Sequence, residues 1–203
     1  KPGACGCITT QTLGERGNNE NVRVRARPET RVDGFRPVDT GVMGDSDGFI
    51  AANAEFAYAN GPFSANAEYF WTEYDKLSNA PVSANNGFEP EFTGAYIEGL
   101  FYLTGESRPY SHKDGGVFAP VRPSSALSKG GTGAWALAAR FSTLDLTDGP
   151  IDGGEMDVAS VGLNWHPERR LRFSLNAGKA FVDGGPQDNS DPVFVQARTQ
   201  VEW

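Results

Sequence analysis

The feature that most constrains this chain is a period of two. Segment after segment alternates apolar and polar residues, helical spacing is absent, and eight such segments recur at roughly 21–32, 47–60, 62–74, 92–104, 132–146, 155–165, 170–182 and 192–203. Phe63, Ala65, Ala67, Tyr69 and Trp71 share one face of the third segment, and Ser64, Asn66, Glu68 and Thr72 the other. The seventh sets Leu171, Phe173, Leu175, Ala177 and Phe181 against Arg172, Ser174, Asn176 and Gly178. Each segment is near the ~9–11 residues that cross a bilayer as a tilted strand. The expected fold class is all-β, antiparallel.

Alternation alone leaves two environments open, because a water-soluble β-sandwich alternates too. Two further features favour lipid. Aromatic residues sit at segment ends (Tyr58, Phe63, Trp71, Trp135, Trp165, Trp203), where interfacial girdles lie. The connections also alternate in length: Asn60-Gly61 reads as a type I′ hairpin and "WHPERR" as a tight turn, whereas 75–91, 147–154 and 183–191 read as longer loops. No run of eighteen apolar residues exists, which excludes a helical span and says nothing of strands. The start, "KPGACGCITT", lacks the regions of a signal peptide, so the chain is expected to be mature, cytoplasmic or a truncated copy. Residues 1–20 are expected to be an irregular segment at a fragment edge, and residues 21–203 the β domain. Cys5 and Cys7 are too closely spaced for an unstrained disulfide.

Charge picks out the candidate site. The formal net charge is −8, which argues against nucleic-acid binding, yet "NVRVRARPETRV" holds four arginines in twelve residues. Residues 22–36 are net +3, residues 105–130 net +2, and the remainder −13. Arg23, Arg25 and Arg27 alternate with Val22, Val24 and Ala26, so an extended chain points the three guanidinium groups to one side, about 6.6 Å apart. Guanidinium binds phosphate as a bidentate fork and keeps its proton, so such a row offers neighbouring oxyanion sites. Arg31 has the same parity, Arg36 follows in the next loop, and Pro28 suits a strand end or bulge. Glu55, Glu68 and Glu98 are expected opposite the row. A solvated strand face, or an edge strand protected by charge, would carry the same pattern. Ser111-His112 has no acid or oxyanion device beside it, so no enzyme and no cofactor is expected.

"VRARPETRVDGFRPVDTG", "YANGPFSANAEYFWTEYD", "GAYIEGLFYLTGESRPYSHKDGGVFAPVRP" and "GAWALAARFSTLDL…LNWHPERRLRFSLNAG" resemble successive blocks of the phosphate-selective porin O and P family, with "LTGESRPY" the most specific. The resemblance covers roughly 21–203. It implies a bacterial outer-membrane porin: an antiparallel transmembrane β-barrel of sixteen strands, trimeric when complete, of which this chain supplies about eight as the C-terminal half. By the same resemblance, Arg23, Arg25, Arg27, Arg31 and Arg36 match the family's arginine ladder and the transported partner is inorganic phosphate, polyphosphate or another small anion. With the C-terminus taken as periplasmic, the 26-residue connection Gly105 to Gly130 falls on the short-turn side. The resemblance implies that it folds back into the lumen, making Arg108, Lys113, Arg122 and Lys129 constriction candidates. The alternatives are a small structural or adhesive barrel with a filled interior, and a soluble sandwich binding an anionic ligand.

Overall fold

The computed structural model describes residues 3–13, 21–30, 34–108, 110–111, 117–118 and 120–202. Eight long strands form one antiparallel sheet in which chain order equals spatial order. We number them β1 (Gly3–Leu13), β2 (Phe49–Asn60), β3 (Phe63–Tyr74), β4 (Glu91–Tyr102), β5 (Ala134–Asp148), β6 (Ile151–Glu168), β7 (Leu171–Asp183) and β8 (Val193–Val201). The shortest has 9 residues, enough to span a bilayer. Strands β1 and β8 are not paired with one another among the described residues, so the sheet is open.

Its two faces are inverted relative to a soluble protein. Ile97 (58% exposed), Val161 (62%), Leu175 (53%) and Val195 (65%) stand on the outward face with Phe101, Leu137 and Phe141. A contiguous exposed band of this kind has no place in water. Inward positions carry Glu98, Arg140, Ser142, Ser160, Asn164, Asn176 and Arg198. At the outer rim of the tight-turn end Trp135, Trp165 and Phe173, cross-strand partners, stack at 5.4 and 5.5 Å between ring centroids. They form the expected girdle; Trp203 lies outside the described residues. The sandwich alternative is therefore set aside.

Three expectations are corrected. The first strand of the wall is Gly3–Leu13, within the segment expected to be irregular, and of the segment expected at 21–32 the described residues 21–30 are not a wall strand. The turn after Asn60 has Gly61 and Pro62 at its centre; Gly61 has φ +56°, but the proline ring forbids the second positive φ that type I′ requires, so the turn follows the type II′ pattern. Residues 147–154 are no long loop, because β5 and β6 continue through a bulge to a two-residue turn at Gly149-Pro150.

Residues 21–30 and 34–45 fold instead as the two sides of a hairpin laid on the inner face of β5, β6 and β7, near the end that carries the longer connections. Asn21 and Val22 pair with Asp45 and Gly44, and Arg25 and Ala26 with Asp39 and Val38. Between them the Thr40 amide donates to the Val24 carbonyl at 3.0 Å, and the Met43 amide to the Val22 carbonyl at 2.9 Å. Val38 and Met43 are fully buried with Leu146, Ile151, Met156, Val158, Val182 and Phe194, and Val22, Val24 and Ala26 pack against the same cluster. Gly153 permits this close approach: a Cβ there would lie 2.5 Å from the Leu146 carbonyl oxygen and 2.9 Å from Thr40 Cγ2.

Candidate functional site

Because Val22, Val24 and Ala26 face the wall, the residues between them face away from it. The alternation falls on a hairpin rather than on a wall strand; Arg23 and Arg25 are exposed on the free side, and Arg27 is half-buried. Arg36 joins them from the other side of the tip. Its guanidinium is held below the ordinary arginine value, first by partial loss of water and then by the like charges of Arg25 and Arg27.

The arginines differ in how they are satisfied. Arg23 makes a bidentate pair with Asp39, Nε to Oδ1 at 2.7 Å and Nη2 to Oδ2 at 2.5 Å. Asp39 also accepts the Gly41 amide at 2.9 Å, so Arg23 stiffens the hairpin and its charge is largely spent. Among the described residues, Arg25, Arg27 and Arg36 form no ion pair, and Arg27 Nε is out of water without an acceptor. Arg31 lies outside the described residues.

Glu29, which counted against the arginine row in the sequence, points elsewhere. At the tip Pro28 is buried, the Glu29 amide donates to the Arg27 carbonyl at 2.8 Å, and Glu29 takes φ +56°. This turn aims the carboxylate at the wall, where it accepts Arg140 Nε at 2.7 Å, Ser142 Oγ at 2.7 Å and Ser160 Oγ at 3.4 Å. Arg140 lies 3.7 Å over the Tyr96 ring and 3.9 Å from Glu98. Glu55 and Glu68, cross-strand partners on β2 and β3, are bridged by Asn53 Nδ2 at 3.0 and 2.9 Å. The tip is pinned by a carboxylate, and three guanidinium groups are left without counter-ions among the described residues.

The described ends of the connection 105–130, with Glu106, Val121 and Ser124, also lie against the inner face, at the tight-turn end. Val121 is buried with Tyr102, Ala134 and Ala136, and Glu106 accepts the Thr104 hydroxyl and, at 2.7 Å, the Ser124 hydroxyl. Burial pushes the Glu106 carboxyl up, but these bonds outweigh it and leave it below the usual carboxylate range. Arg108 borders a recess of about 380 Å³ there. Arg122 and Lys129 are exposed and do not line it, and Lys113 lies outside the described residues. Sequence reasoning missed Arg172 and Arg198, which do line it; their inward parity on β7 and β8 was the available signal.

An antiparallel meander with an apolar outward band, a charged inward face and connections folded onto that face is the wall of an outer-membrane β-barrel. The chain belongs to the phosphate-selective porin O and P family, whose sequence profile matches residues 9–203. It is 33% identical over 178 residues to an uncharacterized protein of Caulobacter vibrioides, covering 87% of this chain and 34% of that protein. It is 29% identical over 147 residues to Porin O of Pseudomonas aeruginosa, covering 68% of this chain and 31% of Porin O. The chain therefore spans about a third of the length of the curated relatives it matches. The family is one of channels of the bacterial outer membrane.

Proposed function

We propose that this chain forms part of the wall and the selectivity filter of an outer-membrane channel for inorganic phosphate or polyphosphate, conducting by passive diffusion. The observation that carries the reading is the hairpin: its apolar side is fastened to the inner wall and its free side holds Arg25, Arg27 and Arg36, which have no counter-ions among the described residues. Guanidinium groups so placed replace part of an oxyanion's hydration, and several adjacent sites allow entry without trapping. Arg31, beyond the turn at Pro28 and Glu29, is included as a candidate on the family resemblance rather than on parity. Arg23 is a positioning residue, held by Asp39. In this reading the eight strands are the C-terminal half of a sixteen-stranded barrel that assembles as a trimer.

The test is phosphate block of chloride current through the native protein in planar bilayers. Replacing Arg25 and Arg36 by Ala raises the half-blocking phosphate concentration on the order of tenfold, equivalent to ~1.4 kcal/mol; Arg23→Ala raises it less. Unchanged block in the double variant would sink the reading.

A further inference from the structure

The recess at the tight-turn end is separate from the hairpin and differs from it in chemistry. Its floor is the inner face of β4 to β8, and Pro120 and Val121 of the connection form one of its sides. Arg172 and Arg198 enter from adjacent strands: Arg172 pairs with Gln200, and Ser174 with Arg198. Arg172 Nη2 donates to Gln200 Oε1 at 2.8 Å, which fixes the guanidinium, while its Nε is out of water with no acceptor. Arg108 reaches the same place from the connection, and its guanidinium is held down by burial first, with the like charge of Arg172 also acting. Neither Arg172 nor Arg198 has a carboxylate within ion-pair distance among the described residues. Apolar surface is supplied by Leu100 on the inner face of β4 and by Pro120 and Val121, while Glu98 and Glu202 also border the recess. Its 380 Å³ compares with the ~30 Å³ share of one water, so a bare orthophosphate leaves most of it empty.

We propose that this recess is a second oxyanion site, suited to phosphate monoesters. The phosphoryl group is held by Arg108, Arg172 and Arg198, and the ester substituent lies over Leu100, beside Pro120 and Val121. An arginine cluster alone would take any oxyanion; the apolar surface of Leu100, Pro120 and Val121 and the spare volume favour one that carries an organic group. The site lies on the lumen side of the wall and in that respect rests on the channel reading, but it does not require the hairpin to act as a filter.

The experiment is equilibrium binding of phenyl phosphate to the detergent-solubilised native protein, with orthophosphate as the second probe. The expected result is tighter binding of phenyl phosphate than of orthophosphate, weakened on the order of tenfold by Arg172→Gln with Arg198→Gln and unaffected by Arg25→Ala with Arg36→Ala. Arg108→Gln, on the connection rather than the wall, gives the same direction of change without altering a strand. Leu100→Asn lowers phenyl phosphate binding towards that of orthophosphate. Phenyl phosphate binding that survives both glutamine variants, or is lost only in the hairpin variant, overturns the proposal. Loss of phosphate block in the hairpin variant with no effect there on phenyl phosphate binding keeps the two sites distinct.

Discussion

Replacing Glu29 by Gln should loosen the tip of the hairpin while leaving its base in place. The glutamine keeps the size and one acceptor oxygen but removes the charge that holds Arg140 Nε and Ser142 Oγ, both at 2.7 Å. A hydrogen bond to a charged group contributes ~1.5–3 kcal/mol net, and the Arg140 and Glu29 side chains are 28% and 23% exposed, so screening reduces the ion-pair part. About 1–2 kcal/mol of tip docking is therefore lost. The base is held by Val38 and Met43, both fully buried, at ~1.5–3 kcal/mol for each such side chain. Hydrogen exchange read by mass spectrometry resolves the two: protection across Arg27–Thr30 should fall on the order of five- to thirtyfold, a range set by ~1–2 kcal/mol, and that of Val22 and Met43 should hold. Equal loss of protection at tip and base, or none at the tip, would show that the carboxylate is not the latch.

Two further outcomes follow from other contacts. Asp39 is held below the usual carboxylate range, chiefly by the Arg23 hydrogen bond, partly offset by burial. Its contribution is therefore present above the unfolded value of ~3.9 and lost as pH falls through the depressed folded value. Hairpin protection, corrected for intrinsic exchange, should stay flat from pH 8 to about 4 and then drop, and Asp39→Asn should remove the drop; a fall already between pH 6 and 5 would implicate another group. On the outward face, Val195→Arg at 65% exposure should cost ~2–4 kcal/mol and impair assembly into vesicles, whereas Gln196→Arg, facing inward, should assemble normally.

The sheet was legible because two environments imprint two alternating residue sets. Phe173, Leu175 and Ala177 against Arg172, Ser174 and Asn176 say which face meets lipid without any knowledge of neighbours. The strand Gly3–Leu13 was not legible for the converse reason: "GACGCITTQTL" is mostly small and polar, so its alternation carries little amplitude. The hairpin left a trace that was overlooked. Leu144, Leu146, Met156, Val158, Ala180, Val182 and Phe194 occupy inward positions, where a water-filled lumen calls for polar residues. Alternation that fails on several neighbouring strands at one height means that something covers the wall there. Arg172 and Arg198 were passed over because each stands alone in its strand, and only pairing of β7 with β8 brings them together.

The same physics explains why the arginines sit on an insertion. The alternating stretch from Val22 to Arg27 ends at Pro28, which has no amide to donate, and at Glu29, whose positive φ breaks the extended chain. Six residues are too few to cross a bilayer, where ~9 are needed. They suffice for a ribbon that buries Val22, Val24 and Ala26 on one side. Laid on the inner face, such a ribbon stands about 10 Å further from lipid than the wall itself, the spacing of stacked β layers. Its guanidinium groups therefore reach towards the pore axis rather than lining its edge. A narrower passage walled by protein on more sides has a lower effective dielectric, so each unpaired charge acts more strongly on a passing anion. On the proposed reading, an acidic barrel carries an anion filter in this way: the sign of the pore is set by the few charges nearest the axis, and the negative remainder stays behind them.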